Sequence, residues 1–460
     1  MNKSIFKAYD IRGIYPSEIN ELDVYKIATA ICQFIKPTEL VVGCDVRLSS
    51  PSLKRAAIKA ITDQGIKVID VGEISTDMLY FAVANYGYAG GVTLTASHNP
   101  GEYNGMKIVR EESKPISGDT GIYEIRDMAF ALDIDQAALE GEINEGLVER
   151  KDILNDYSEK IQSFADFSKF KKFKIVANPN FGVGGRALTK ILEGTDIDVV
   201  KINYEPDGNF PKGRPDPLIP TNREEISKLV VETGADFGVA WDADADRCFF
   251  FTEKGEFIEG YFITALLGKI FLNRKKAEKI LHDTRLTWAI EDIASENGGI
   301  NVPTKAGHAF IKERMRQENA VFGGEMSAHY YFRDYFFCDC GMIPLVMILE
   351  FLSQQEKPFS QIIQKMFWDT YHVSGEINNE VADVAAISEK IKTQYIAKAT
   401  GQDLQDGVSL DFIDSQNPVN SWRFNVRGSN TEPLIRLNVE AKNKQLMEEK
   451  RDELLAIIRG

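Results

Sequence analysis

The chain has 460 residues, 43% of them hydrophobic and 27% charged, the balance of an ordinary globular protein with three or four domains rather than one. Its net charge of −15 argues against nucleic acid or an anionic membrane as partner, although locally converging cations can still bind an anionic ligand. The five cysteines (Cys32, Cys44, Cys248, Cys338, Cys340) lack C-x-x-C spacing, which disfavours zinc and disulfides and implies a reducing compartment. The start lacks a signal-peptide apolar core, and the longest apolar run, Pro344 to Leu352, is interrupted by Glu350, so a cytoplasmic protein without a membrane span is expected.

In chain order, Leu40–Gly43 reads as a strand. Ser49-Ser50-Pro51 opens a helix with Leu53, Ala57, Ala60 and Ile61 on one face. Gly65 stops it, and Ile66–Val71 follows as a strand, completing a βαβ step. The pattern recurs with a strand at Phe173–Ala177, a turn at Asn178–Gly185, a helix at Arg186–Leu192 and a strand at Asp198–Ile202. Thr221 and Glu224 have capping-box spacing for a helix ending at Gly234, before a strand at Phe237–Trp241. A third cycle gives strands at Ile280–Asp283, Ile300–Val302 and Val321–Phe322, with helices at Trp288–Ile293 and His308–Gln317. From about Val381 the style changes to one helix, strands near Arg423–Val426 and Leu434–Val439, and a terminal helix from Asn443. The expected fold is α/β. Three α/β domains, each a mixed sheet with flanking helices (1–145, 146–252, 253–370), precede a smaller α+β domain (371–460).

In each of the first three domains a polar motif follows a strand: Ser97, Asp242 and Glu325. Open α/β sheets bind ligands at strand carboxyl ends, so motifs this far apart in sequence are expected to meet in a cleft between domains. The first motif is Thr-Leu-Thr-Ala-Ser97-His98-Asn-Pro, continuing to Lys107. Pro100, Gly101 and Gly105 hold it out of regular structure. An exposed hydroxyl beside an imidazole and an ammonium suits a serine that carries a phosphoryl group, whereas the plainer reading is a turn serine bonding its own backbone.

The second motif is Asp242-Ala-Asp244-Ala-Asp246-Arg247. Three carboxylates at alternate positions of an extended segment point the same way and call for a hard cation, Mg²⁺ or Ca²⁺. An EF-hand is rejected despite Glu253 at the twelfth position, because Arg247 stands where the sharp turn needs glycine. An aspartyl-phosphate enzyme also begins Asp-x-Asp, but Asp246 falls where those enzymes usually carry Thr or Val.

The third motif, Gly324-Glu325-Met326-Ser327-Ala328-His329, offers acceptor, hydroxyl and imidazole at alternate positions, as vicinal sugar hydroxyls require. The fourth, Arg427-Gly428-Ser429-Asn430-Thr431-Glu432-Pro433, has the composition of a phosphate cradle.

Taken together and in this order, the four motifs resemble those of the α-D-phosphohexomutases, and the likeness runs from Tyr9 to Arg436. The resemblance implies a four-domain fold around a central cleft and reversible phosphoryl transfer between the 1- and 6-positions of mannose or glucose. It makes Ser97 the phosphorylated residue, and makes Asp242, Asp244 and Asp246, together with that phosphate, the ligands of Mg²⁺. It places Arg247 on sugar or phosphate; Glu325, Ser327 and His329 on the sugar; and Arg427, Ser429, Asn430 and Thr431 on the non-reacting phosphate. Tyr9-Asp-Ile-Arg12-Gly resembles the N-terminal signature beside the reacting phosphate. Ala306-Gly-His308 resembles the segment that supplies a histidine. His98, Lys107, Arg12, Arg247 and His308 are thereby candidate catalytic residues, and Tyr9 a substrate contact.

Two positions depart from the family pattern. Arg285 stands where relatives often have lysine, and an arginine is a poor base, so the general base is open. Ala328 replaces a glycine, which leaves the loop's backbone angles free to differ. Met326 matches the phosphomannomutase/phosphoglucomutase branch, whereas phosphoglucosamine mutases, the alternative, typically carry Gln. His282 and His372 read as structural. Hexose phosphates are the expected partners, with a hexose 1,6-bisphosphate as intermediate and activator, and the chain is expected to be a monomer or small homo-oligomer. From other classes, a non-catalytic sugar-phosphate binder or a slow metal-dependent phosphatase are the competing readings; retention of Ser97 with all three aspartates weighs against the first.

Overall fold

The structure, a computed structural model, describes residues 1–428 and 434–460. The candidate residues Ser429, Asn430 and Thr431 lie outside the described residues. The chain divides into two compact units. One comprises Met1–Phe257 with His329–Glu356, the other Ile258–Ala328 with Lys357–Gly460.

The first unit carries two mixed sheets. In one, Gly90–Leu94, Glu39–Cys44, Lys67–Glu73 and Val148–Arg150 run parallel, and Tyr103–Arg110 and Ile11–Ile14 extend the sheet antiparallel. The central strand Gly90–Leu94 is buried along its whole length, as a sheet covered on both faces requires. Gly105 is dictated by close approach: a Cβ there would lie 1.8 Å from the Ile11 carbonyl oxygen. In the second sheet Phe237–Trp241 and Lys174–Asn178 run parallel, with Asp198–Lys201 beyond and Cys248–Thr252 antiparallel on the other side. The short strands Tyr330–Phe332 and Cys338–Asp339 pair antiparallel in this unit.

In the second unit Lys279–Asp283 lies between Ile300–Thr304 and Phe322–Gly324, all parallel. The C-terminal sheet is antiparallel, with Trp422–Gly428 and Leu434–Ala441 at its centre. Its apolar side packs Phe424, Val426, Leu437 and Val439 against Ile391 and the terminal-helix residues Leu454 and Ile458. Three mixed α/β sheets and an antiparallel fourth agree with the expected fold class.

Two local expectations fail. Thr221 caps nothing: Pro220–Arg223 forms a 3-10 turn, and the helix Glu224–Thr233 starts from Arg223 without a side-chain cap. Proline sets the turn one step ahead of the spacing that a capping box needs. The fourth sheet also holds His372–Val373, Ile377–Glu380, Gly401–Asp403 and Val408–Phe412, strands that the sequence reading missed because they are short or polar. No helix among the described residues is long and apolar enough to cross a membrane.

Candidate active site

Ser97 lies three residues past the strand Gly90–Leu94 with φ of 50°, in the left-handed region that a serine enters at a cost of about 1–3 kcal/mol. It is not exposed, as the sequence reading expects, but 2% accessible. The strain is held by Arg47, a residue that the sequence reading overlooked. Its guanidinium is fully buried and donates to the carbonyls of Ser97 (2.6 Å), Asn99 (2.8 Å), Pro100 (2.6 Å) and Tyr103 (3.0 Å). The fifth N–H donates to Asp45 at 3.0 Å, so every guanidinium donor is used. Thr95 Oγ1 accepts the Ser97 N–H at 2.9 Å. Arg12 donates to Asn99 Oδ1 (2.6 Å) and to the Ala96 carbonyl (3.3 Å), and pairs with Asp10. Tyr9 is half-buried next to Asp10.

The Ser97 hydroxyl donates to Asp242 Oδ2 at 3.0 Å and lies 3.2 Å from His98 Nδ1. Arg247 donates from Nε to Asp242 Oδ2 at 2.9 Å, and its Nη2 contacts His98 Nδ1. The acidic segment is a tight turn, not the extended stretch expected. The Ala245 N–H donates to the Asp242 carbonyl at 3.0 Å, and Ala245 has φ of 54°. The turn, rather than strand alternation, converges the carboxylates. Gly182 lets it pack, because a Cβ there would lie 2.1 Å from the Ala243 carbonyl oxygen.

All three aspartates are buried, and their oxygens approach one another within 4.8 Å. Lys107 binds Asp244 Oδ2 at 2.7 Å and Asp246 Oδ2 at 2.5 Å. The other oxygen of each, Oδ1 of Asp244 and of Asp246, is buried without a hydrogen-bond partner among the described residues. Three close carboxylates, two of them with a buried oxygen that makes no hydrogen bond among the described residues, fit a hard divalent cation such as Mg²⁺. His329 also lies here, with Nε2 3.4 Å from Asp246 Oδ1 and a backbone bridge to Arg247; Asp246, His329 and Asp339 form a second group of close ligand atoms. Burial, then the neighbouring carboxylates, push Asp242 well above its ordinary range, and burial with Asp244 moves Asp246 up to about 7. On Asp244 burial also acts upward, but the charge and hydrogen bond of Lys107 outweigh it and hold the group low.

The second unit brings together other candidates. Arg285 pairs with Asp283 at 2.9 Å and lies 3.7 Å from Glu325 Oε1, which accepts the Gly307 N–H at 3.0 Å. His308 follows Gly307 at the start of the helix His308–Glu318. Ser327 is half-buried, and Ala328 takes φ of 66°, the left-handed region despite its Cβ. Glu376, also missed by the sequence reading, is ringed by Arg285 Nη1 (3.1 Å), Arg427 Nη2 (3.3 Å) and Arg436 Nη1 (3.5 Å). Burial pushes its carboxyl upward, but the three arginines outweigh that and hold it below the usual range. His282 is buried, with Nδ1 2.9 Å from the Asp283 carbonyl oxygen.

Four segments match the domains of one family: phosphoglucomutase/phosphomannomutase alpha/beta/alpha domains I (residues 3–133), II (155–255) and III (259–370), and its C-terminal domain (376–457). A phosphomannomutase of Escherichia coli is 42% identical over 461 residues, 99% of each chain. Phosphohexose mutases of Xanthomonas campestris pv. campestris are 43% identical over 461 residues, covering 100% of both chains. The crystal structure of a phosphoglucomutase/phosphomannomutase family protein from Burkholderia thailandensis superposes with a TM-score of 0.87 at 26% identity, covering 100% of this chain and 98% of that one. With the fold, the four domain matches and full-length identity in agreement, the chain belongs to the phosphoglucomutase/phosphomannomutase family.

Proposed function

We infer that the protein is a phosphohexomutase that interconverts hexose 6-phosphate and hexose 1-phosphate, the hexose being mannose, glucose or both. The observation that carries this reading is the hydrogen bond from Ser97 to Asp242, inside a carboxylate turn with two unsatisfied oxygens and beside Lys107 and Arg247. Ser97 carries the phosphoryl group, gives it to the free sugar hydroxyl, and takes back the other phosphate of the resulting 1,6-bisphosphate. Asp242, Asp244 and Asp246 would hold Mg²⁺, which when bound would supply positive charge against the phosphoryl group. Lys107, Arg247 and Arg12 add fixed positive charge around the transferred group, so that catalysis is chiefly positioning and charge neutralisation.

His98 lies within reach of the Ser97 oxygen and is placed to orient it. Glu325, Ser327 and Arg285 bind sugar hydroxyls, Arg427 the phosphate that is not reacting, and His308 and His329 are the titratable groups available for proton transfer to and from the sugar. Arg285, tied to Asp283 and Glu376, is read as a binding group and not as the base. The functional domains are taken as 1–145, 146–252, 253–370 and 371–460. Initial rates with the 1-phosphates of mannose, glucose and glucosamine, before and after chelation and Mg²⁺ restoration, test the reading. Metal-dependent conversion of at least one of the first two is expected; phosphate release without isomerised product would contradict it.

A further inference from the structure

Thr76 begins the helix Thr76–Tyr86, and a threonine there ordinarily serves its own helix. Here the cap position is Ser75, and it makes no side-chain capping bond. Thr76 is 1% accessible, and both of its polar groups turn to a segment far away in sequence. Its hydroxyl donates to Asp244 Oδ2, its hydroxyl oxygen accepts Lys107 Nζ at 3.3 Å, and its N–H donates to the Asp244 carbonyl at 3.0 Å. That N–H is one of the donors that a helix start leaves without an internal partner.

The consequence lies in which oxygen remains. Thr76 and Lys107 both occupy Oδ2 of Asp244, while Oδ1 has no hydrogen-bond partner among the described residues. Two donors on one oxygen, with the residue's own carbonyl also held by Thr76, fix the carboxylate plane and present the other oxygen. Thr76 is itself braced. Ser75 Oγ donates to Asp77 Oδ1, while Tyr157 Oη (2.7 Å) and Cys340 Sγ (2.8 Å) donate to Asp77 Oδ2. Tyr335 Oη holds the Asp77 carbonyl at 2.8 Å. The start of the helix is thus tied to two other segments of the first unit, at Tyr157 and at residues 335–340, before it touches the acidic turn.

We propose that Thr76 is a positioning residue that orients Asp244 for a divalent cation, an inference that rests on reading the acidic turn as the cation site. Such supporting contacts change metal affinity by roughly 10- to 100-fold when lost. The test is binding of Mn²⁺ alone, followed by the EPR signal of free Mn²⁺, to full-length dephosphorylated protein without sugar phosphate. T76V, which keeps shape and removes the hydroxyl, should bind about 10- to 100-fold more weakly, and T76S should stay within about threefold of the parent. If T76V does not fold, T76A against T76S gives the same comparison. A purely structural role would lower the melting temperature and leave Mn²⁺ affinity unmoved, which would overturn the proposal, as would a T76S variant as weak as T76V. If the parent itself binds no Mn²⁺, the cation reading of the turn fails; if the parent and T76V bind alike, Thr76 alone is misassigned.

Discussion

The two polar clusters are built around opposite charges. In the first unit three buried carboxylates pair directly with Lys107 and Arg247, and two carboxylate oxygens have no hydrogen-bond partner among the described residues. In the second, three arginines converge on Glu376, while Arg285 also pairs with Asp283 and Arg427 lies 3.9 Å from Asp406. The first is centred on carboxylates and the second on guanidiniums. Burying charge without a partner is expensive, so each cluster holds an internal counter-charge: Lys107 among the aspartates, Glu376 among the arginines. A phosphoryl-transfer enzyme acting on a sugar phosphate needs both kinds of cluster, carboxylates for a metal beside the reacting phosphate and guanidiniums for a phosphate that is only gripped.

The contrast can be broken by substitution, starting with the largest effect. S97A removes the group that carries the phosphate and should lower kcat by ~10³-fold or more, with hexose phosphate still bound, as rate and binding assays will show. D244N removes one carboxylate charge and should cost on the order of 10²-fold in kcat, with a raised Mg²⁺ requirement in a metal titration. R427A should reduce kcat/KM roughly 10- to 150-fold in both directions, the equivalent of the ~1.5–3 kcal/mol of a charge-assisted contact. An effect in one direction alone would show that Arg427 does not hold the spectator phosphate. The smallest effect sharpens the comparison. E376Q removes the internal anion and should tighten inorganic phosphate binding roughly fivefold by calorimetry, since a unit charge about 4 Å away contributes ~1 kcal/mol in water. Weaker binding would mean that Glu376 organises the arginines instead of competing with the ligand.

The carboxylate triplet and the motif serine were legible because each concentrates chemistry within six or eight residues and follows an apolar strand. Arg47 was not. Asp-Val-Arg-Leu-Ser-Ser reads locally as the entry to a helix, and its five donors find partners up to 56 residues away. Thr76 and Asp77 look like a helix start for the same reason, since their partners Asp244, Tyr157 and Cys340 are distant in sequence. Glu376 sits alone in an unremarkable stretch, and its meaning comes from arginines in three other segments. The bend of the acidic turn escaped because Asp-Ala repeats alternate like a strand, whereas Ala245 at positive φ closes the turn. His329 reads with Glu325 and Ser327 in sequence, yet it lies beside Asp246.

The central claim is that Ser97 carries the phosphoryl group between the two positions of the sugar. Enzyme labelled by phosphate-labelled hexose 1,6-bisphosphate, mapped by peptide mass and then mixed with unlabelled hexose 6-phosphate for a single turnover, tests it directly. The account predicts label on the peptide holding Ser97 and its passage into hexose phosphates. Label on another residue, or its release from Ser97 as inorganic phosphate alone, would contradict it.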